Sequence, residues 1–360
     1  MKNNRLLQAS TLWINFLLLF LISFSNYASP NRISGFHLDE GFYKSTFKFK
    51  SVHNLIIMPV VIDGQKLNLI FDTGMNSILV FDRKSISTWK EREKHIIKFS
   101  GLGKGSYIKG FRLDDITVKM PNIKGKGISL VVTPNLKFPK QIDGLKIHGV
   151  FGYQLLAKFI VQIDYKNEII TLTDPAYFVP SKNITALDLT VFNTKPYVKC
   201  SVVINEKEYL LNFLVDTGAE AALILRSSSI NFKKSKSGYN HLGVGLAGNL
   251  MGNKVIINDF VLGDHHLSKD FEALVPFKDS YPNESPKLIR DGTIGGETLR
   301  QFIVTFDYFN NKLYLGLAEK VPSAFRYEQA KRRCIRILRV EACEVDDVLG
   351  ANLKNPILLF

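Results

Sequence analysis

The chain has 360 residues, enough to bury a substantial core and to form two or three domains. Its net charge of +14 is carried by lysines spread along the chain without a basic face interleaved with aromatics, which argues against nucleic-acid recognition. Three cysteines cannot make a disulfide framework and leave at least one unpaired, so the fold must rest on its core.

In chain order, Lys2 and Arg5 precede an apolar stretch from Leu12 to Phe24 and a small-residue exit at Ala28-Ser29, the layout of a secretory signal peptide. Residues 1–28 are read as that signal and 29–45 as an N-terminal segment. The apolar stretch is shorter than the ~20 residues a membrane span needs, which favours cleavage over anchoring. Export to a periplasm or the medium is expected, with membrane contact only if the segment stays uncleaved. No Cys near the exit supports a lipid anchor.

The run Leu67-Asn68-Leu69-Ile70-Phe71 ends in Asp72-Thr73-Gly74, and Tyr209 to Val215 ends in Asp216-Thr217-Gly218. One such triplet means little; two, each closing a strand-like run, signal a duplication, and the matching continues downstream. A Gly-rich patch, Ser100-Gly101-Leu102-Gly103-Lys104-Gly105, answers Gly243-Val244-Gly245-Leu246-Ala247-Gly248. Gly149-Val150-Phe151-Gly152 answers Gly292-Thr293-Ile294-Gly295, and Asp164-Tyr165 answers Asp307-Tyr308. Each copy therefore reads as a strand, a short apolar helix, a strand (Ile160 to Tyr165, Ile303 to Tyr308), a polar turn and a return strand. The repeat is too long for a solenoid unit, so two similar β-rich lobes are expected, residues 46–175 and 187–318. Asp174-Pro175 and Pro180-Ser181 mark the connection, set at 176–186, ahead of a strand-like Leu187 to Val191. Residues 319–360 form a tail that could hold a truncated PDZ-like module; its basic cluster Lys331-Arg332-Arg333 with Arg336 is read as a solvated surface, and the tail is assigned no function.

The doubled triplet and the Gly-rich patches resemble the aspartic peptidases, with lobes as short as the retroviral type, over roughly residues 45 to 318. The resemblance implies an all-β fold of two retropepsin-like closed-barrel lobes with a cleft between them, active as a monomer that is an internal pseudo-dimer. It implies an aspartic endopeptidase acting on extended polypeptides, with Asp72 and Asp216 as the catalytic pair. Thr73 and Thr217 would cross-link the lobes beneath the carboxylates, with Gly74 and Gly218 completing the supporting loops. Gly101, Leu102 and Gly103, and with them Gly243, Val244 and Gly245, would belong to flaps over the substrate. Ala219 after the second triplet is the retroviral choice, whereas Met75 departs from the usual small or hydroxyl residue.

The chemistry needs no metal or cofactor: one carboxylate activates water while the other, protonated, protonates the carbonyl oxygen or leaving amine. Like charges at close range cannot both ionise cheaply, so a pair shares one proton, the behaviour on record for aspartic proteases as a class. A catalytically inactive peptide-binding protein with the same bilobal fold is the alternative. A glycosidase would also use two carboxylates but leaves the doubled Thr-Gly unexplained. His265-His266 on a strand face opposite sides, a poor metal site. The Gly101 to Gly105 string lacks phosphate-loop spacing, and no G-x-S-x-G elbow occurs. Asn183-Ile184-Thr185 and Asn283-Glu284-Ser285 are glycosylation acceptors only in a eukaryotic cell.

Overall fold

The computed structural model describes residues 34–103, 107–134, 136, 138–182, 184–230, 240–267, 271–281 and 290–317. The proposed signal peptide, the tail, Lys104-Gly105, the second glycosylation acceptor, Cys334 and Cys343 lie outside the described residues; Cys200 is a buried free thiol. From Gly35 on, the described residues belong to one compact unit.

The described residues are mostly β-strand, as expected, with short helical turns between the strands. The first half forms a nine-stranded sheet and the second a ten-stranded sheet. In each, the strand entering the Asp-Thr-Gly triplet is flanked by a parallel partner. Gln65–Phe71 pairs with Gly149–Phe151 (Gly149↔Leu69), and Lys207–Val215 pairs with Gly292–Ile294 (Phe213↔Gly292). The ends of these strands at the triplets, Leu69 to Phe71 and Phe213 to Val215, are wholly buried together with both parallel partners, and there the apolar residues follow one another without alternation. Strands nearer the surface do alternate: Lys44–Lys48 buries Ser45 and Phe47 and exposes the residues between.

The duplicated helices are single turns, Tyr153–Leu156 and Gly296–Leu299, and they lead into Ile160–Asp164 and Phe302–Asp307. The two halves are not self-contained at this point. Ile160–Asp164 and Phe302–Asp307 pair with each other, antiparallel, with Val161↔Phe306 and Ile163↔Val304. They form the middle of a six-stranded sheet shared by both halves, in the order 185–188, 312–317, 302–307, 160–164, 169–173, 44–48. Phe302, Val304, Phe306, Val161 and Ile163 are all buried in one core that runs through both halves. Each large side chain so buried contributes roughly 1.5–3 kcal/mol.

One strand differs from expectation. The strand read over Leu187 to Val191 is two, Thr185–Asp188 and Thr190–Phe192, because Leu189 turns inward and its N–H donates to Asn311 O at 2.9 Å. The first of them joins the shared sheet beside Lys312–Leu317, so the end of the connecting segment is structured. His265 and His266, in the strand His265–Leu267, go to separate partners, Thr185 Oγ1 at 3.1 Å and Asp259 Oδ2 at 3.1 Å. No described helix is long and apolar enough to cross a membrane.

Candidate active site

Asp72 and Asp216 stand at the ends of the two buried strands, and their backbones are fixed in the same way. Asp72 N–H donates to Phe151 O and Asp216 N–H to Ile294 O, each at 2.9 Å, so the parallel partner strand sets where each carboxylate emerges. The side chain then turns back on its own loop: Gly74 N–H donates to Asp72 Oδ1 at 2.7 Å and Gly218 N–H to Asp216 Oδ1 at 2.8 Å.

The threonines tie the two loops together by four reciprocal bonds. Thr73 Oγ1 donates to Val215 O at 2.7 Å and accepts from Thr217 N–H at 3.1 Å. Thr217 Oγ1 donates to Phe71 O at 2.7 Å and accepts from Thr73 N–H at 3.1 Å. Both hydroxyls are buried, and each satisfies a donor and an acceptor from the opposite half. The bonds hold the two Asp residues in a fixed mutual position.

Only glycine fits beside the carboxylates. A Cβ on Gly218 would stand 2.3 Å from Asp72 Cγ and 2.4 Å from Asp72 Oδ2; one on Gly74 would stand 2.7 Å from Asp216 Oδ2. Each triplet's glycine thus lies against the other triplet's carboxyl group, and the two carboxyls face one another.

Asp72 and Asp216 are both 0 % exposed, and their outer oxygens, Asp72 Oδ2 and Asp216 Oδ2, find no N–H or O–H donor among the described residues. Two buried acceptors without a donor are costly, and a proton held between the carboxyls satisfies both. Burial raises the affinity of Asp72 for that proton, the Asp216 charge and a hydrogen bond to Asp216 raise it further, and the Gly74 N–H and Lys195 oppose less. Burial also raises Asp216, to about 6, but the Arg290 guanidinium opposes it most, ahead of the Gly218 N–H. The proton belongs to the pair. Arg290, whose guanidinium opposes the rise on the Asp216 side, is buried and donates to Thr293 Oγ1.

Both folded carboxyls bind a proton more tightly than an unfolded Asp near 3.8, so between that value and about 6 the folded state holds more protons than the unfolded chain. The pair's contribution is complete below the unfolded value and is lost as pH rises through the folded one. The melting temperature of the Asp72→Asn protein is therefore expected to fall less than that of the wild type as pH is raised from about 4 to 7. Parallel curves would refute the raised affinities.

Several groups around the pair carry no signal in the triplets. Lys195, at the start of the strand Lys195–Ile204, bears electrostatically on both carboxyls. Of the tyrosines of the doubled Asp-Tyr, Tyr165 is buried and Tyr308 half-buried; both feel the Asp216 charge, and removal from water chiefly raises both phenols. Their recurrence in the repeat was visible in the sequence; their nearness to Asp216 was not. Asn54 reaches across the halves, its Nδ2 donating to Glu220 O at 3.0 Å and its Oδ1 accepting from Arg300 Nη1 at 2.9 Å, while Tyr308 Oη donates to Thr194 O at 3.4 Å within the second half.

The Gly-rich patches are hairpin ends. Residues 101–103 follow the strand His95–Phe99, and Gly243, Val244 and Gly245 lie within the strand Asn240–Gly245, whose two-residue turn is Leu246-Ala247. The second tip is therefore Leu246-Ala247, with Gly243 at a register shift in the strand leading to it. Gly101, Leu102 and Gly103 are buried, not exposed.

Among the described residues no group of His, Cys, Asp and Glu is arranged to hold a metal. No protein-family model matches the chain, and no curated protein matches it.

Proposed function

We propose that the chain is an aspartic-type endopeptidase, in which Asp72 and Asp216 share one proton and activate a water for attack on a peptide carbonyl. The observation that carries the reading is the mutual burial of two carboxyls, each over the other triplet's glycine, with two outer oxygens that find no donor among the described residues. In this reading the pair takes a proton from water through the ionised oxygen and gives one to the carbonyl oxygen or leaving amine through the other. The Thr73–Thr217 bonds keep the oxygens aligned through the cycle.

The strand pairings support two retropepsin-like lobes unequally. In the first half, Ile108–Met120 pairs with both Leu55–Ile62 and Ile123–Val132, so the pairings return on themselves as in a closed barrel. The described pairings of the second half run open from 240–245 to 265–267. An extended polypeptide lying between the lobes is the substrate we assign, held by main-chain pairing in the manner of an added strand. Export, in this reading, delivers the enzyme to polypeptides outside the cytoplasm.

The test is hydrolysis of an unfolded protein and a peptide library by the full chain, with a statine-type peptide, whose hydroxyl replaces the attacking water, as inhibitor. Cleavage blocked by the mimic is expected. Binding of peptides with no cleavage at any pH would favour the inactive binding protein instead.

A further inference from the structure

We propose that the folded body carries its own membrane contact, a patch of Phe42, Tyr43, Tyr177 and Val179 that seats in the headgroup region of an anionic bilayer. The patch is built on the segment that joins the two halves, and connecting segments at a surface are ordinarily polar. Here Pro175-Ala176-Tyr177-Phe178-Val179-Pro180 holds no charged residue, and Ala176, Tyr177, Val179 and Pro180 are exposed. An apolar run left open to water in this way marks a contact surface. Phe42 and Tyr43 extend it: both are about half exposed, while Tyr177 is 65 % and Val179 82 % exposed.

The patch is firmly held. Pro175–Tyr177 is a single helical turn capped by Asp174, whose side chain accepts from Ala176 N–H at 2.9 Å. Asp174 N–H donates to Tyr43 O at 2.9 Å, and the Tyr43 and Tyr177 rings lie 5.6 Å apart. Phe178 is half-buried and packs on Tyr314 of the shared six-stranded sheet, ring centres 5.9 Å apart. Phe178 therefore anchors the segment while its two neighbours, Tyr177 and Val179, stand out from it.

Size and charge choose the occupant. The four side chains present on the order of 400–500 Å² of apolar surface, well short of the ~800 Å² that each partner of a stable protein complex buries. A bilayer surface demands no matching shape, and aromatic rings settle at its headgroup level. Within 40–48 and 174–182 the exposed charges are Lys44, Lys48 and Lys182 against Glu40 alone. The Lys44 ammonium stands 5.6 Å from the centre of the Tyr43 ring, so an apolar stem and a charged head lie side by side at the patch. Lysines on Lys44–Lys48, an edge strand of the shared sheet, disfavour the addition of a further strand there. The net charge of +14 draws the body towards anionic lipid. The contact needs neither the leader nor catalysis.

Hydrogen exchange read by mass spectrometry locates the contact on the full chain, alone and with phosphatidylcholine vesicles containing or lacking phosphatidylglycerol. Peptides spanning 39–44 and 175–182 are expected to exchange fast in the chain alone and to slow about threefold or more with the anionic vesicles, while those spanning 207–215 do not change. The double variant Tyr177→Ser, Val179→Ser is expected to keep the wild-type melting temperature and to need at least about tenfold more anionic lipid for the same slowing. Lys44→Glu, which leaves the apolar side chains in place, should need about tenfold more anionic lipid as well. A leader held in the lipid would bind wild type and variants alike and cannot create a difference confined to these peptides. Slow exchange without lipid that deepens with protein concentration would give the patch to a second copy, and slow exchange without lipid at every concentration would give it to the rest of the chain. Either result, no slowing on anionic vesicles, or slowing unaltered in both variants would overturn the proposal and leave the Asp72–Asp216 reading untouched.

Discussion

Replacing either Asp72 or Asp216 by Asn is expected to reduce polypeptide hydrolysis by about 10²–10⁴-fold without lowering the melting temperature. The two halves of this expectation come from the same geometry. Catalysis is lost because one remaining carboxyl cannot be base and acid in a single step, and an amide neither accepts the water's proton nor donates one to the leaving amine. Stability is kept because Asp72 Oδ2 and Asp216 Oδ2 are buried acceptors without a donor from the described chain, and the new Nδ2 can donate to the surviving carboxyl. Retained hydrolysis in both variants, read alongside an unchanged melting curve, would remove the pair from the mechanism.

Thr73→Val should cost about 2–5 kcal/mol of stability, and Thr217→Val a similar amount. Valine keeps the shape but strands two buried backbone groups each time: Val215 O and Thr217 N–H in the first case, Phe71 O and Thr73 N–H in the second. At roughly 2–4 °C per kcal/mol for a chain of this size, thermal unfolding should move down by about 5–15 °C. Hydrolysis should fall as well, because the bonds join the two halves directly beneath the carboxyls. Thr73→Ser, which keeps the hydroxyl, should recover most of both losses. Because the four bonds share partners, the double valine variant should lose less than the sum of the singles. A valine variant as stable as the wild type would mean that the cross-link contributes little.

Much of the strand pattern was legible in the residues. The runs entering Asp72 and Asp216 end in three apolar residues each, Leu69 to Phe71 and Phe213 to Val215, because the strands are buried there between a parallel and an antiparallel neighbour, and such ends stand out against alternating surface strands. The single-turn helices and polar turns were legible for a different reason: they recur in both halves, and repetition turns a weak local signal into a strong one. What could not be read is which half a segment packs against. Nothing in Ile160 to Asp164 says that its partner is Phe302 to Asp307 and not a strand of its own half. Leucines 102 and 246 look like ordinary loop residues until the fold places each in the opposite core. Arg290 and Lys195 were missed because charge acts through space, and neither stands near a triplet in the chain.

Carbon-13 titration of the aspartate carboxyl signals, with Asp72→Asn and Asp216→Asn used to assign them, measures the shared proton itself. One proton is expected to stay on the pair after the exposed carboxyls have ionised, to leave near or above pH 6, and to be lost as a joint feature in either variant. Two carboxyls titrating separately in the ordinary range, each indifferent to the loss of the other, would contradict it.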